Sequence, residues 1–389
     1  MIWRKQIIQE QRVSLVSTLV FLSCVIGFIF ISSSFVFVGL LYGMALFMNY
    51  LYGKYSGNSL IVQNDKIRHR YFIGEEGSFV LKLQNESLPI INGMVEIWFN
   101  KNLTPLHSKN KYEEDKQTMV EIPITIKKGE ALHISVPFIT KKRGVGRITN
   151  IVIQYPNLFG MGKISLTYSP HWQEEFLVLP KIIPVEKMYW QSFYKEGLQS
   201  STSSIFEDRL LTVGTRNYVA TDAFHTVHWK ASAKMNQLQT KIFEKTTDYS
   251  ILFLLNIAEG FWFNENIEQI ISNVAYLGQI AQKDNIPVAL AVNIRSYTNM
   301  PFLYLPIGEG KEQFKKLLEM LAVIDTHQLI IPYEQVLHYL LRHRLLPPYI
   351  IHAGLLEGKI SALLHNMKNT GAVVSCLETN EHHSILRNY

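Results

Sequence analysis

The sequence predicts a membrane-anchored multidomain chain: a transmembrane helical hairpin, then a β-sandwich-like domain, then an α/β domain. Three observations predict it. Residues 13–53 carry no charged side chain. From about Tyr71 to Leu179 apolar and polar residues alternate with period two. Past Tyr249, continuous apolar runs alternate with stretches of helical periodicity. The 389 residues are 47% apolar and 18% charged, the balance of a folded chain with two or three domains at roughly 100–200 residues each. Read in order, the divisions are a cytoplasmic tail (1–12), the hairpin (13–53), the β-domain (54–180), a connecting segment (181–248) and the α/β domain (249–389).

The hairpin comes first. Roughly 40 uncharged residues suffice for two spans of about 20, and Ser32-Ser33-Ser34 divides them into spans 13–31 and 35–52. One long buried helix would have no face for water, and a cleaved signal would have a shorter apolar run ending in small residues. Arg4, Lys5 and Arg12 precede the first span, and Lys54, Lys66, Arg68 and Arg70 follow the second, while the turn has no cation. The positive-inside rule then puts both termini and the folded domains in the cytoplasm. Cys24 and Cys376, the only cysteines, offer no disulfide framework, which fits a reducing compartment. The net charge of +6 is spread over short groups without a nucleic-acid-binding module. Beside the membrane, those cations suit anionic head groups, so the lipid bilayer is the first partner expected.

In the β-domain, Phe79, Leu81 and Leu83 alternate with Val80, Lys82 and Gln84. Val120, Ile122, Ile124 and Ile126 repeat the scheme, as do Leu132, Ile134, Val136 and Phe138 after Lys128-Gly129-Glu130. Half-buried antiparallel strands joined by short turns explain this.

In the α/β domain, Ile251–Leu255 reads as a strand buried on both faces. Asn264 is placed to cap a helix whose buried face is Ile267, Ile270, Ile271, Val274, Gly278 and Ala281. A strand at 286–294 follows, then a helix marked by Phe314, Leu317, Leu318 and Leu321, and another opened by Pro332. Tyr349–His352 and Ala372–Leu377 are further strands, separated by a helix with Ile360, Leu363, Leu364 and Met367 on one face. Such alternation implies a mostly parallel sheet covered on both sides.

Between these domains lies a segment containing Gly214, Arg216, Tyr218, Asp222, Trp229, Ser232 and Ala233. Those positions match the motif of the bacterial family known as domain of unknown function 58, which this chain resembles. Thr221 and His225 depart from it, standing where the family has Gly and Arg. Lys142-Arg143-Gly144, Tyr155-Pro156-Asn157-Leu158-Phe159-Gly160 and Val178-Leu179-Pro180 resemble its upstream turns. The resemblance runs from the hairpin to near the C-terminus. It implies a von Willebrand factor type A-like C-terminal domain and association with an AAA+ ATPase of the MoxR group. Physically, Arg216 and Asp222 suit a bidentate ion pair shielded by Tyr218 and Trp229. A functional reading makes His225, His228 and Lys230 a partner-contact surface.

A type A domain holds Mg²⁺ through Asp-x-Ser-x-Ser after its first strand. The aligned residues here are Asn256, Ile257, Ala258, Glu259 and Gly260. Asn256 is neutral and Ala258 and Gly260 have no hydroxyl, so the site is degenerate and no metal is expected. The strand ends still form a plausible binding face, as in other open α/β sheets. His225 and His228, like the adjacent His382 and His383, lack a metal-ligand pattern. Ser108–Lys111 and Ser192–Lys195 match Ser-x-x-Lys without its companion motifs. No cofactor and no catalytic residue follow from the sequence. The expected function is a non-catalytic membrane scaffold working with the ATPase in a cell-envelope process. The alternative is a cell-envelope or polymer-metabolism enzyme with a site around Asp222, His225 and His228.

Overall fold

In the computed structural model, the described residues are all those outside 1–2, 10, 30–32, 65–66, 107–111, 115–116, 161, 169–173, 189–206, 220–221, 246–249, 260–261, 326 and 380–383. The chain divides into two compact units, residues 1–179 and 180–389.

Unit 1 begins with strand β1 (Trp3–Gln9), in the stretch expected to be a tail, followed by helices α1 (Gln11–Ile29) and α2 (Ser33–Tyr55). Strands β2 (Leu60–Val62), β3 (Arg68–Phe72), β4 (Glu76–Asn85), β5 (Ile90–Phe99), β6 (Leu103–Pro105) and β7 (Tyr112–Glu114) come next. The unit closes with β8 (Gln117–Ile126), β9 (Ala131–Thr140), β10 (Gly144–Pro156), β11 (Gly162–Tyr168) and β12 (Glu175–Leu179). One sheet runs β1-β11-β10-β5-β8-β7, with β12 joined to β10 and β3 joined to β12; a second runs β2-β4-β9-β6.

The period-two alternation decides which faces meet. Phe79, Leu81 and Leu83 of β4 are buried with Val95, Ile97 and Phe99 of β5 in one core. Each such side chain contributes roughly 1.5–3 kcal/mol on leaving water. The turn at Lys128-Gly129-Glu130 is not a hairpin: β8 pairs with β5 and β7, whereas β9 pairs with β4 and β6. It carries the chain from one sheet to the other, and buried Asn85 holds the corner by donating to Leu88 O at 3.1 Å and Ile126 O at 3.4 Å. Gly144 at φ 130° opens β10, and the Asn102 amide occupies the space a Cβ would need.

The helices correct the expected two-span hairpin. Among the described residues one helical stretch, Val36–Tyr55, is long and apolar enough to cross a membrane, with mean hydropathy 1.5. The first expected span begins at residue 13, but the helix there starts at Gln11 and so takes in Arg12. It also carries Ser14, Ser17, Thr18 and Ser23 along its length. Both ends of the α1–α2 segment are fastened to the sheets. Trp3 Nε1 donates to Leu60 O at 2.8 Å, and Tyr52 Oη to Pro89 O at 2.8 Å. Lys5 Nζ donates to Ser56 O, to Lys54 O at 3.2 Å and to Asn58 Oδ1 at 3.1 Å, a cation meeting the open carbonyls at the end of α2.

Unit 2 contains β13 (Lys187–Met188), β14 (Glu207–Asn217), a 3₁₀ turn (Phe224–Thr226), helix α3 (Trp229–Met235) and β15 (Gln239–Lys245). Then come β16 (Ile251–Asn256), β17 (Ala258–Glu259), β18 (Trp262–Phe263), α4 (Ile267–Lys283), β19 (Val288–Arg295) and β20 (Phe302–Gly308). Last are α5 (Gly310–Val323), α6 (Tyr333–Arg342), β21 (Tyr349–Gly354), α7 (Gly358–Asn369), β22 (Val373–Thr379) and β23 (Ser384–Asn388). The seven-stranded sheet has the order β13-β23-β22-β21-β16-β19-β20. Its centre is parallel, but β20 runs antiparallel to β19 and β23 antiparallel to β22.

The alternation of strands and helices over 249–389 thus builds a mixed sheet with a parallel centre. With 44% of the described residues in strands, the molecule is a mostly β, multi-sheet fold. Leu252 and Leu254 pack with Val336, Leu340, Leu364 and Met367 of α6 and α7. Phe253 and Leu255, of opposite parity, are also fully buried, so both faces of β16 are dry. Helix α4 buries the predicted face, and Gly278 lets α5 approach so closely that a Cβ there would collide with Leu317. Its cap is Asn266 rather than Asn264; Asn264 Oδ1 instead accepts Asn266 N at 2.8 Å and makes the turn before it.

Candidate functional site

The signature segment is a small self-contained knot. Strands β14 and β15 pair so that Arg216 lies opposite Thr240 and Gly214 opposite Ile242. A turn through Val219 and Asp222 folds the chain back, with Asp222 N donating to Val219 O at 2.8 Å. Arg216 then grips Asp222 with both arms of its guanidinium, at 2.8 and 2.5 Å. Val219 N and Thr240 Oγ1 also donate to Asp222 Oδ2, at 3.1 and 2.9 Å. The Arg216 guanidinium, then these two donors, hold the Asp222 carboxyl down at about 2, so it is an anion at neutral pH. The bidentate pair is present as expected, but the aromatic shield is not. Trp229 is 60% exposed and meets Phe224 edge to face, centroids 5.4 Å apart.

His228 is the cap of α3: its Nδ1 accepts Ala231 N at 3.1 Å, and its own N–H donates to Gln239 O at 2.7 Å. Ser232, buried on the inner face, donates to His228 O at 3.0 Å and accepts Gln239 N at 2.8 Å, riveting α3 to β15. Tyr218 N donates to Leu238 O. His225 and Lys230 are exposed, on the 3₁₀ turn and on α3 respectively. Thr221 lies outside the described residues. Sequence reasoning missed Thr240 and Gln239, which no motif marks; their role comes from register across the ribbon.

The second region is the carboxyl end of the parallel strands. Neighbours of β16 in the sheet are β19, the next strand of this sheet along the chain, and β21, which comes later, so the connections diverge there. Asn256 closes the end of β16. Its Oδ1 accepts Asn293 Nδ2 at 3.1 Å and Ala258 N at 3.3 Å, and its Nδ2 donates to Leu355 O at 3.1 Å. Asn293 Oδ1 accepts Ile257 N at 2.9 Å. This amide ladder ties three strand ends together and spends the donors and acceptors of the position aligned with a metal-ligating Asp. Ala258 supplies only its backbone, and Gly260 lies outside the described residues, as do His382, His383 and both Ser-x-x-Lys matches.

Two clefts flank these ends. One, of about 640 Å³, is lined by Ala258, Leu329, Ile331, Leu355 and Ile360, with Glu334 and Glu357 as its carboxylates. The other, of about 780 Å³, is lined among others by His352, Cys376, Glu378 and Arg387. His352 is buried, which lowers it to about 4, and its Nδ1 meets Tyr333 Oη at 2.9 Å. Burial, with Glu378 nearby, pushes the Cys376 thiol up to about 12. Both are therefore neutral at physiological pH, and the thiol is in its less reactive form.

These features define a mostly β, two-unit chain with an apolar helical stretch and a mixed α/β sheet. No family model matches it. A protein of Bacillus subtilis (strain 168) described as the uncharacterized protein YeaD is 27% identical over 129 residues, which is 33% of this chain and 30% of that protein. A family 123 glycoside hydrolase of Clostridium perfringens, studied for glycolipid glycan hydrolysis, matches 33% of this chain and 27% of its own, at 12% identity and TM-score 0.17. The sporulation control protein Spo0M of Bacillus subtilis matches 41% of this chain and 56% of its own, at 14% identity and TM-score 0.15.

Proposed function

We propose that this is a non-catalytic, membrane-attached interaction protein. The apolar helical stretch holds it at a lipid bilayer with both folded units on the cytoplasmic side, and the strand-end cleft of unit 2 receives a protein partner. The resemblance to the domain of unknown function 58 family makes an AAA+ ATPase of the MoxR group the partner to test, in a cell-envelope process.

The observation that carries this reading is where the polar groups of unit 2 are spent. Asp222 accepts four hydrogen bonds and His228 caps a helix, so the acid and one imidazole of the alternative enzyme site are held in structural roles. The 640 Å³ cleft, by contrast, combines an apolar lining with two carboxylates at a chain-divergence point, where α/β sheets receive partners. Leu329 at its edge is 60% exposed, an apolar contact awaiting cover.

The test is co-purification. Detergent-solubilised full-length protein, co-expressed with a MoxR-group ATPase, should retain it on an affinity column, and Leu329→Arg should abolish retention. A membrane-extracted protein that retains no ATPase, or a Leu329→Arg variant that retains it like wild type, overturns the reading.

A further inference from the structure

We propose that the outer surface of the signature segment, centred on Phe224 and Trp229, docks on an anionic lipid surface. The proposal rests on the membrane attachment described above, and not on the ATPase.

Three observations converge on it. First, Phe224, Trp229 and Met235 are 63%, 60% and 64% exposed within twelve residues, and the Phe224 and Trp229 rings already meet edge to face. Indole and phenyl rings presented this way suit the head-group boundary of a bilayer, where an apolar body is buried and a polar edge stays wet. Second, residues 214–242 contain Arg216, Lys230, Lys234 and Lys241 against Asp222, four cations and one anion, or +3 net. Arg216 is engaged by Asp222, whereas Lys230, Lys234 and Lys241 make no ion pair with a described residue. Lys230 and Lys234 stand one turn apart on α3, an unfavourable like-charge pair that a phosphate-bearing surface would relieve. Third, the surface is rigidly backed. Ser232 and Val227 are buried on the inner side, so α3 presents Trp229, Lys230 and Lys234 outward on a fixed support.

Charge and aromatic content alone would also suit an acidic protein segment. The apolar stretch Val36–Tyr55 on the same chain decides for lipid, because a tethered surface meets its own bilayer at a high effective concentration. Each lysine near an anionic leaflet then strengthens docking about fivefold, the equivalent of ~1 kcal/mol.

The experiment uses the full chain reconstituted into vesicles of phosphatidylcholine alone or mixed with phosphatidylglycerol. Emission from Trp229 is isolated by difference against Trp229→Phe, since the chain has 6 tryptophans. With phosphatidylglycerol present, Trp229 should become protected from acrylamide and quenched by brominated lipid. Both effects should vanish in pure phosphatidylcholine, at raised salt, and in Lys230→Glu/Lys234→Glu, although that variant still floats with the vesicles. Trp229 that stays water-accessible in every vesicle overturns the proposal. Protection independent of lipid charge and of the lysines overturns it too, since that signals a protein cover. A chain that fails to float at all overturns the membrane attachment itself, which the other outcomes leave standing.

Discussion

At Asp222 one carboxylate gathers a guanidinium, an amide and a hydroxyl, and its proton affinity reports on all three. Its folded pKa of about 2 lies below the ordinary carboxylate value near 3.8. The depressed value means the contribution to stability is fully present above about pH 4 and is lost as pH falls towards 2. A pH titration of the Asp222 carboxyl by NMR should therefore give a midpoint near 2, and in Arg216→Ala it should move up toward the ordinary value. An unmoved midpoint would show that the guanidinium is not what holds it. Ser232→Ala should cost about 1–3 kcal/mol in chemical denaturation, because it strips the buried Gln239 N–H of its acceptor. Asn256→Asp offers a sharper contrast. An acceptor-only side chain cannot donate to Leu355 O, so the variant should lose stability and still fail to bind Mg²⁺ by calorimetry. The Arg216–Asp222 pair was legible from residue types alone, since six residues of separation leave room for a tight turn. Thr240 was not, because a hydroxyl becomes a ligand of Asp222 only once two strands settle into register.

Elements were read well where a single periodicity dominates. The α4 face, the β16 run and the β4 alternation were all visible because burial on one or both sides imposes a repeat on the side chains. Strands β20 and β23 were not, since both leave positions open to water and β20 buries few. Connections were harder still: a glycine turn at 128–130 looks the same whether it returns within a sheet or crosses to the next. Helix packing is open to test. Gly278→Val should overpack the α4–α5 contact and destabilise the protein by about 1–3 kcal/mol, read as a lowered denaturation midpoint. Gly278→Ala should do so less, and a neutral Val variant would mean that the two helices slide apart freely.

For the whole molecule, the uncharged stretch marks an apolar segment but not how many of its helices are long and apolar enough to cross a bilayer. Charge absence is a blunt criterion, because it passes over hydroxyls and leaves helix ends undefined. The apolar stretch Val36–Tyr55 should keep the protein in the membrane pellet after carbonate washing. Replacing Leu40 and Met44, both well exposed, with arginine should release it. Retention of that variant would assign the membrane contact to another part of the chain.

The pairing of β1 with β11 sets Trp3 against Tyr168. A ribosome must therefore deliver some 160 further residues before the opening strand acquires a neighbour, a wait on the order of 10 s at ~5–20 residues per second. During that interval α1 and α2 are already made and can reach a bilayer, while β1 remains an unpaired edge. A nascent chain stalled before residue 162 should therefore hold Trp3–Gln9 open to protease.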